Sequence, residues 1–176
     1  KGVRVIWLKG ETDMLGALEE VESFGEFAKR NNAVASTEVK SFEHLICTEQ
    51  LSRRLGFKVG EELIRVVRVR SLNGNARQVD HGYFLESIAK GLTPEIAAKS
   101  IYDYLEHKRG VKVMASRRTV SVELANDEDC SYLDLGKYNC VAVMESQSYT
   151  SDGILFEVTH ARTHPEIFHY RVNSKR

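Results

Sequence analysis

EELIRVVRVRSLNGNARQVDHGYF, residues 61–84, reads as two strands folded about one tight turn. Residues 61–71 are rich in β-branched apolar side chains, and residues 76–84 resume an apolar alternation after the dipeptide Asn73-Gly74, the strongest short-range hairpin signal. In the first strand Arg68 and Arg70 stand two residues apart, so alternation sends both to one face, together with Ile64 and Val66. At a rise of about 3.3 Å per residue they lie roughly 6.6 Å apart, close enough to converge on one phosphate or carboxylate. A solvated strand face or a cross-strand ion pair accounts for the same two residues. A strict two-residue turn pairs Arg70 with Arg77 and puts Asp80 on the face opposite Arg68. One extra bulge residue would bring Asp80 round.

Working outward, SFGEFAKRNN offers Ser23 as N-cap with Glu26 at capping-box spacing, and VASTEVKSFEHLI reads as a strand. TEQLSRRLGF is a helix capped by Thr48 and stopped by Gly56. SIYDYLEHKRG is a helix with Ser100 and Asp103 at capping-box spacing and Gly110 as terminator. In VKVMASRRTVSVEL the apolar residues sit at 111, 113 and 115, then at 120, 122 and 124, which predicts a bulge or bend near Arg117 to Thr119. NDEDCSYLDLG is a helix capped by Asn126 with acids in its first turn, where they suit the dipole. CVAVMESQSYT, the Asp152-Gly153 turn and ILFEVTHARTHPEIFHYRV form another hairpin with a broken last strand. Strands joined by NG and DG turns, with helices inserted between them, predict an α+β fold on a mostly antiparallel sheet. The opening KGVRVIW alternates like a short strand, and the acidic stretch after it is linker-like.

The 176 residues suit one good-sized domain, and 42% hydrophobic against 28% charged residues suit a globular core. Lys plus Arg and Asp plus Glu balance at 25 each, so no overall field would hold the chain to a polyanion, and any anion it binds must be held locally. Cys47, Cys130 and Cys140 are odd in number and lack CxxC spacing, which argues for buried thiols in a reducing cytoplasm. No apolar run approaches the roughly 20 residues of a membrane span.

Two helix starts, Ser23-Phe24-Gly25 and Ser100-Ile101-Tyr102, combine early amides with a hydroxyl and so could hold an anion, although each serine taken alone is better explained as a cap. His160 and His164 have the spacing of helical metal ligands but fall in a strand-like stretch ending at Pro165, so no metal site is expected. Asp80, His81 and Glu157 could be drawn as an acid–base set, yet no nucleophile elbow, Walker loop or Cys–His pair accompanies them. No motif calls for a cofactor.

Taken together, ESFGEF, STEVKSFEHL, LGFKVGEELIRVVRVRSLNGN, the pair Tyr83-Phe84, SIYDYLEHKRGVKV and YTSDGILFEVTHARTHPEIFHYRV resemble, in order, the UTRA effector-binding domain of the HutC subfamily of GntR-type bacterial transcription regulators. The likeness runs from about Val21 to Val172, and SIYDYLEHKRG is most similar to trehalose-operon repressors, which sense a phosphorylated disaccharide. KGVRVIW is similar to the last strand of the winged helix-turn-helix that precedes UTRA. The resemblance thus divides the chain into a residual wing strand at 1–8, a linker at 9–20 and the UTRA domain at 21–176. It implies a chorismate lyase-like fold and a small-molecule effector such as a sugar phosphate. The phosphate would be held by Arg68, Arg70, Ser23, Phe24, Gly25 and Ser100 with Tyr102 beside them, while Asp80 and Glu157 would meet sugar hydroxyls. Asp80 is shorter than the family's usual glutamate, and Thr163 stands where a tyrosine is common, so the sugar end of the pocket is expected to differ. The resemblance further implies a homodimer, with operator DNA read by a missing N-terminal domain, and no enzymatic activity. A lyase on the same fold and a ligand-free dimerisation module are the alternatives; fold alone does not transfer function.

Overall fold

Strands β3 (Glu62–Leu72) and β4 (Asn75–Leu85) form the expected hairpin, with Asn73 and Gly74 at φ of 51° and 83° in the computed structural model, which describes residues 15–16 and 23–170. The strand expected at 1–8, and the linker apart from the two-residue strand β1 (Leu15–Gly16), lie outside the described residues. Helix α1 (Phe24–Arg30) carries the capping box of Ser23 and Glu26, and α2 (Glu49–Leu55) is capped by Thr48 and ends at Gly56. Between them runs β2 (Ala35–Ile46).

The remaining elements are α3 (Pro94–Ala97), α4 (Ile101–Asp103), β5 (Val113–Leu124), α5 (Asp127–Tyr132), β6 (Cys140–Thr150), β7 (Leu155–Thr163) and β8 (His169–Tyr170), with a 3-10 turn at Pro165–Ile167. A six-stranded antiparallel sheet has the order β2-β3-β4-β7-β6-β5. It is two three-stranded meanders, joined where β4 pairs with β7. β1 pairs in parallel with β8.

Two expectations need correction. The stretch SIYDYLEHKRG begins as α-helix for only three residues and then widens into a π-helix at Tyr104–Lys108, where the Arg109 amide donates to the Tyr104 carbonyl. The bulge in β5 lies at Met114, between Val113 and Ala115, and from Ala115 to Leu124 the ladder with β6 is regular. The change of apolar phase is therefore real but sits upstream of Arg117, because the inserted residue is an exposed methionine at the strand's entry.

The larger core packs Ile64, Val66 and Phe84 against Ala97, Ile101 and Leu105 of the segment that crosses from β4 to β5. On the opposite face Val67, Val79, Val141 and Val143 pack against Leu133 and Leu135 after α5. Gly82 makes room for the fully buried Phe84 ring, since an added Cβ would lie 2.7 Å from Phe84 Cε2. Gly82→Ala is expected to cost about 1–3 kcal/mol through overpacking, seen as a lower midpoint in thermal unfolding, and adding Phe84→Leu should recover part of it.

Candidate functional site

The guanidiniums of Arg68 and Arg70 leave β3 on one face and meet Asp80, directly opposite Arg68 on β4. That pairing exists because β4 carries one extra residue. The register shifts between Arg70 and Ser71, which pair with Gln78 and Ala76 and leave Arg77 unpaired in the ladder. The displaced Arg77 is held elsewhere: its carbonyl accepts the His164 amide at 2.8 Å and its guanidinium reaches Glu166 at 3.2 Å.

Asp80 Oδ2 accepts from Arg68 Nη2 at 2.5 Å and from Arg70 Nη2 and Nε at 2.7 and 3.2 Å. Arg68 and Asp80 are buried, with residue exposures of 3% and 2%. Burial alone would raise the Asp80 carboxyl, but the charges of Arg70 and Arg68 outweigh it and hold the group at about 2. Burial and the adjacent Arg70 charge pull the Arg68 guanidinium below its usual range, with Asp80 and Glu157 opposing. One carboxylate thus neutralises only one of two guanidiniums, and Arg70, the more open of the pair, also lies with its Cζ 5.1 Å from the centroid of the Phe24 ring.

These groups line a cavity of about 460 Å³. Ser23, Phe24 and Gly25 enter it from α1, Ser100 and Tyr102 from α4, and Arg68, Arg70, Asp80 and Glu157 from the sheet, so all nine residues singled out in the sequence meet at one site. The Ser23 and Ser100 oxygens accept the amides of Glu26 and Asp103 at 3.3 and 3.2 Å, which leaves each hydroxyl proton free to donate. Because the first intrahelical bond of α1 runs from the Phe27 amide to Ser23, the Phe24 and Gly25 amides have no acceptor within the helix.

At the other end of the cavity the Tyr102 hydroxyl donates to Glu157 at 2.5 Å and lies 3.1 Å from Ser148 Oγ. Burial raises the Glu157 carboxyl, although Tyr102 and Arg68 oppose it, and burial together with the Glu157 charge pushes the Tyr102 phenol well above its ordinary value. A raised carboxyl weakens the fold once pH exceeds its unfolded value, because the unfolded chain then releases a proton that the buried group retains. Glu157→Gln keeps an acceptor for Tyr102 and should therefore raise the thermal midpoint at pH 7 without changing it at pH 4; a pH series of melts checks the sign.

Sequence reasoning missed Ser116, Arg118, Ser146 and Thr159, which also line the cavity. A bulge placed correctly at Met114 would have put Ser116 and Arg118 on this face by simple alternation. Among the described residues, the Nε of Arg68 and the Oγ of Ser116 are buried without a partner. His160 and His164 do not converge: His160 faces Glu145, and His164 Nε2 lies 3.1 Å from the Asp134 carbonyl oxygen. Among the described residues no cluster of three metal-ligating side chains occurs, and no helix is long and apolar enough to cross a membrane. Of the three thiols expected to be buried, only Cys47 is; Cys140 is half-buried and Cys130, on the outer side of α5, is exposed.

The HTH-type transcriptional regulator TreR of Bacillus subtilis is 28% identical over 148 residues, covering 84% of this chain and 62% of the regulator. The HTH-type transcriptional repressor NagR of the same organism is 22% identical over 147 residues, covering 84% and 60%. The chain thus spans about three fifths of the length of these relatives. The solved effector-binding domain of the B. subtilis trehalose repressor TreR superposes with a TM-score of 0.71 at 27% identity, over 80% of this chain and 98% of that domain. The family model described as the UTRA domain matches residues 30–169, which contain both sheet meanders and every cavity residue except those of α1 and its cap. The chain belongs to the UTRA family, the effector-binding domains of GntR-type transcription regulators.

Proposed function

We propose that this chain senses a phosphorylated sugar, and that binding alters the operator affinity of a winged helix-turn-helix joined to its N-terminus. The observation that carries this reading is the excess guanidinium charge beside Asp80, facing the amides and hydroxyls at the starts of α1 and α4. An anion there gains charge-assisted hydrogen bonds from Arg70 and early helix amides without needing them to move. Glu157, Tyr102 and Ser148 at the far end offer acceptors and donors to sugar hydroxyls, and about 460 Å³ is within the range of small-ligand pockets. Asp80 has Oδ2 committed to both arginines, so it serves first to orient them and offers Oδ1 to a hydroxyl. The likeness to a trehalose repressor favours a phosphorylated disaccharide.

The protein acts as a cytoplasmic homodimer in this reading, and the effector shifts a population between two arrangements of the DNA-reading heads by binding one more tightly. Thermal-shift screening tests the effector class. Sugar phosphates, trehalose 6-phosphate among them, should raise the midpoint at concentrations where the parent sugars do not. Equal shifts from phosphorylated and plain sugars would remove the proposal.

A further inference from the structure

The cavity face of the sheet sorts its polar groups into two corners. Along the row of paired residues Arg68, Asp80, Ala161, Met144 and Val120, charge stops at β4 and the side from β7 to β5 is apolar. Two residues further along the strands the order reverses. Arg118, Ser146 and Thr159 make β5, β6 and β7 polar, while Gly82 and Val66 follow on β4 and β3. The next row repeats this, with Ser116, Ser148 and Glu157 followed by Phe84 and Ile64.

Of the second corner, the contacts assigned so far use only Ser148 and Glu157, with Tyr102 above them. Arg118, Ser116, Ser146 and Thr159 line the same cavity. Among the described residues Ser116 Oγ is buried with no partner, and a buried hydroxyl calls for one. β5 lies four strands from β3, about 19 Å across the sheet at roughly 4.8 Å per strand. A sugar ring whose phosphate sits at Arg70 therefore meets Glu157 on β7 before it meets β5.

We infer that the corner formed by β5, β6 and β7 is a second sugar subsite, and that Arg118 sets a preference for a phosphorylated disaccharide over a phosphorylated monosaccharide. The polar groups there suit an uncharged ring. Arg118 only donates, whereas Ser116, Ser146 and Thr159 both donate and accept, as ring hydroxyls do. A second anionic group in this corner would lie beside the Glu157 carboxyl, one strand from Ser148. Arg118 is half-buried and close enough to Tyr102 for its charge to act on the phenol, so its guanidinium stands over the hydroxyl strip. This rests on the sugar-phosphate reading above and names the part of the site that selects the sugar.

Calorimetric titration of the 176-residue chain with glucose 6-phosphate and with trehalose 6-phosphate tests it. The parent chain should bind trehalose 6-phosphate about tenfold or more tightly than glucose 6-phosphate. Arg118→Ala should remove most of that preference, and Thr159→Val, which deletes one hydroxyl, should reduce it about two- to tenfold. A preference that survives both substitutions, or a loss of affinity equal for the two probes, would overturn the second subsite. A parent chain that binds both probes equally would overturn it too, while leaving sugar-phosphate sensing standing. A parent chain that binds neither overturns both readings.

Discussion

Arg70→Ala is expected to leave a folded protein that no longer responds to sugar phosphates. The substitution removes the more exposed of the two guanidiniums bound to Asp80 but keeps Arg68 there, so one buried positive charge still faces one buried negative charge. Hydrogen bonds to charged groups contribute about 1.5–3 kcal/mol each, so loss of the Arg70 contact should weaken binding roughly 10- to 150-fold. Calorimetric titration measures this directly, with circular dichroism to confirm the fold. Arg70→Lys should fall between, because an ammonium keeps the charge but cannot present two parallel donors.

The opposite pattern is expected at Asp80, where the fold suffers first. Asp80→Asn leaves Arg68, which is nearly inaccessible to water, beside Arg70 without the carboxylate that bonds both of them. Breaking a buried pair by removing one partner costs about 3–5 kcal/mol, a large share of the 5–15 kcal/mol that stabilises a typical domain. Thermal or urea unfolding should show that loss at pH 7. The same carboxylate predicts an acid step. Its folded value of about 2 lies below the ordinary 3.8, so its contribution is complete above about pH 4 and disappears as pH falls towards 2. The shift corresponds to about 2 kcal/mol in the parent protein and should be missing from Asp80→Asn.

The features legible in the sequence were those set by local rules. Asn73-Gly74 required its turn, Ser23 and Glu26 their capping box, and the spacing of Arg68 and Arg70 a shared face. What stayed hidden depended on single inserted residues. The side of the sheet taken by Asp80 is decided by the bulge at Arg77, and that bulge is anchored by the His164 amide from a distant part of the chain. Periodicity carries no information about such a contact. Likewise Met114 marks no sequence break, so placing the phase change near Arg117 concealed Arg118 and Ser116 as cavity residues. The π-helical turn after Asp103 was equally silent, since its apolar spacing fits an ordinary helix. The cavity itself is a tertiary fact: only the crossing from β4 to β5 brings Ser100 and Tyr102 over the same face as the arginines.

The account depends on an anion being captured by Arg70 beside a carboxylate that is already shared. Inorganic phosphate isolates that act from any choice of sugar. Thermal midpoints should be measured for the parent chain and Arg70→Ala as phosphate replaces chloride at constant ionic strength and pH. Capture at this site predicts a midpoint that climbs with phosphate in the parent and stays flat in Arg70→Ala; equal climbs in both proteins, or none in either, would contradict it.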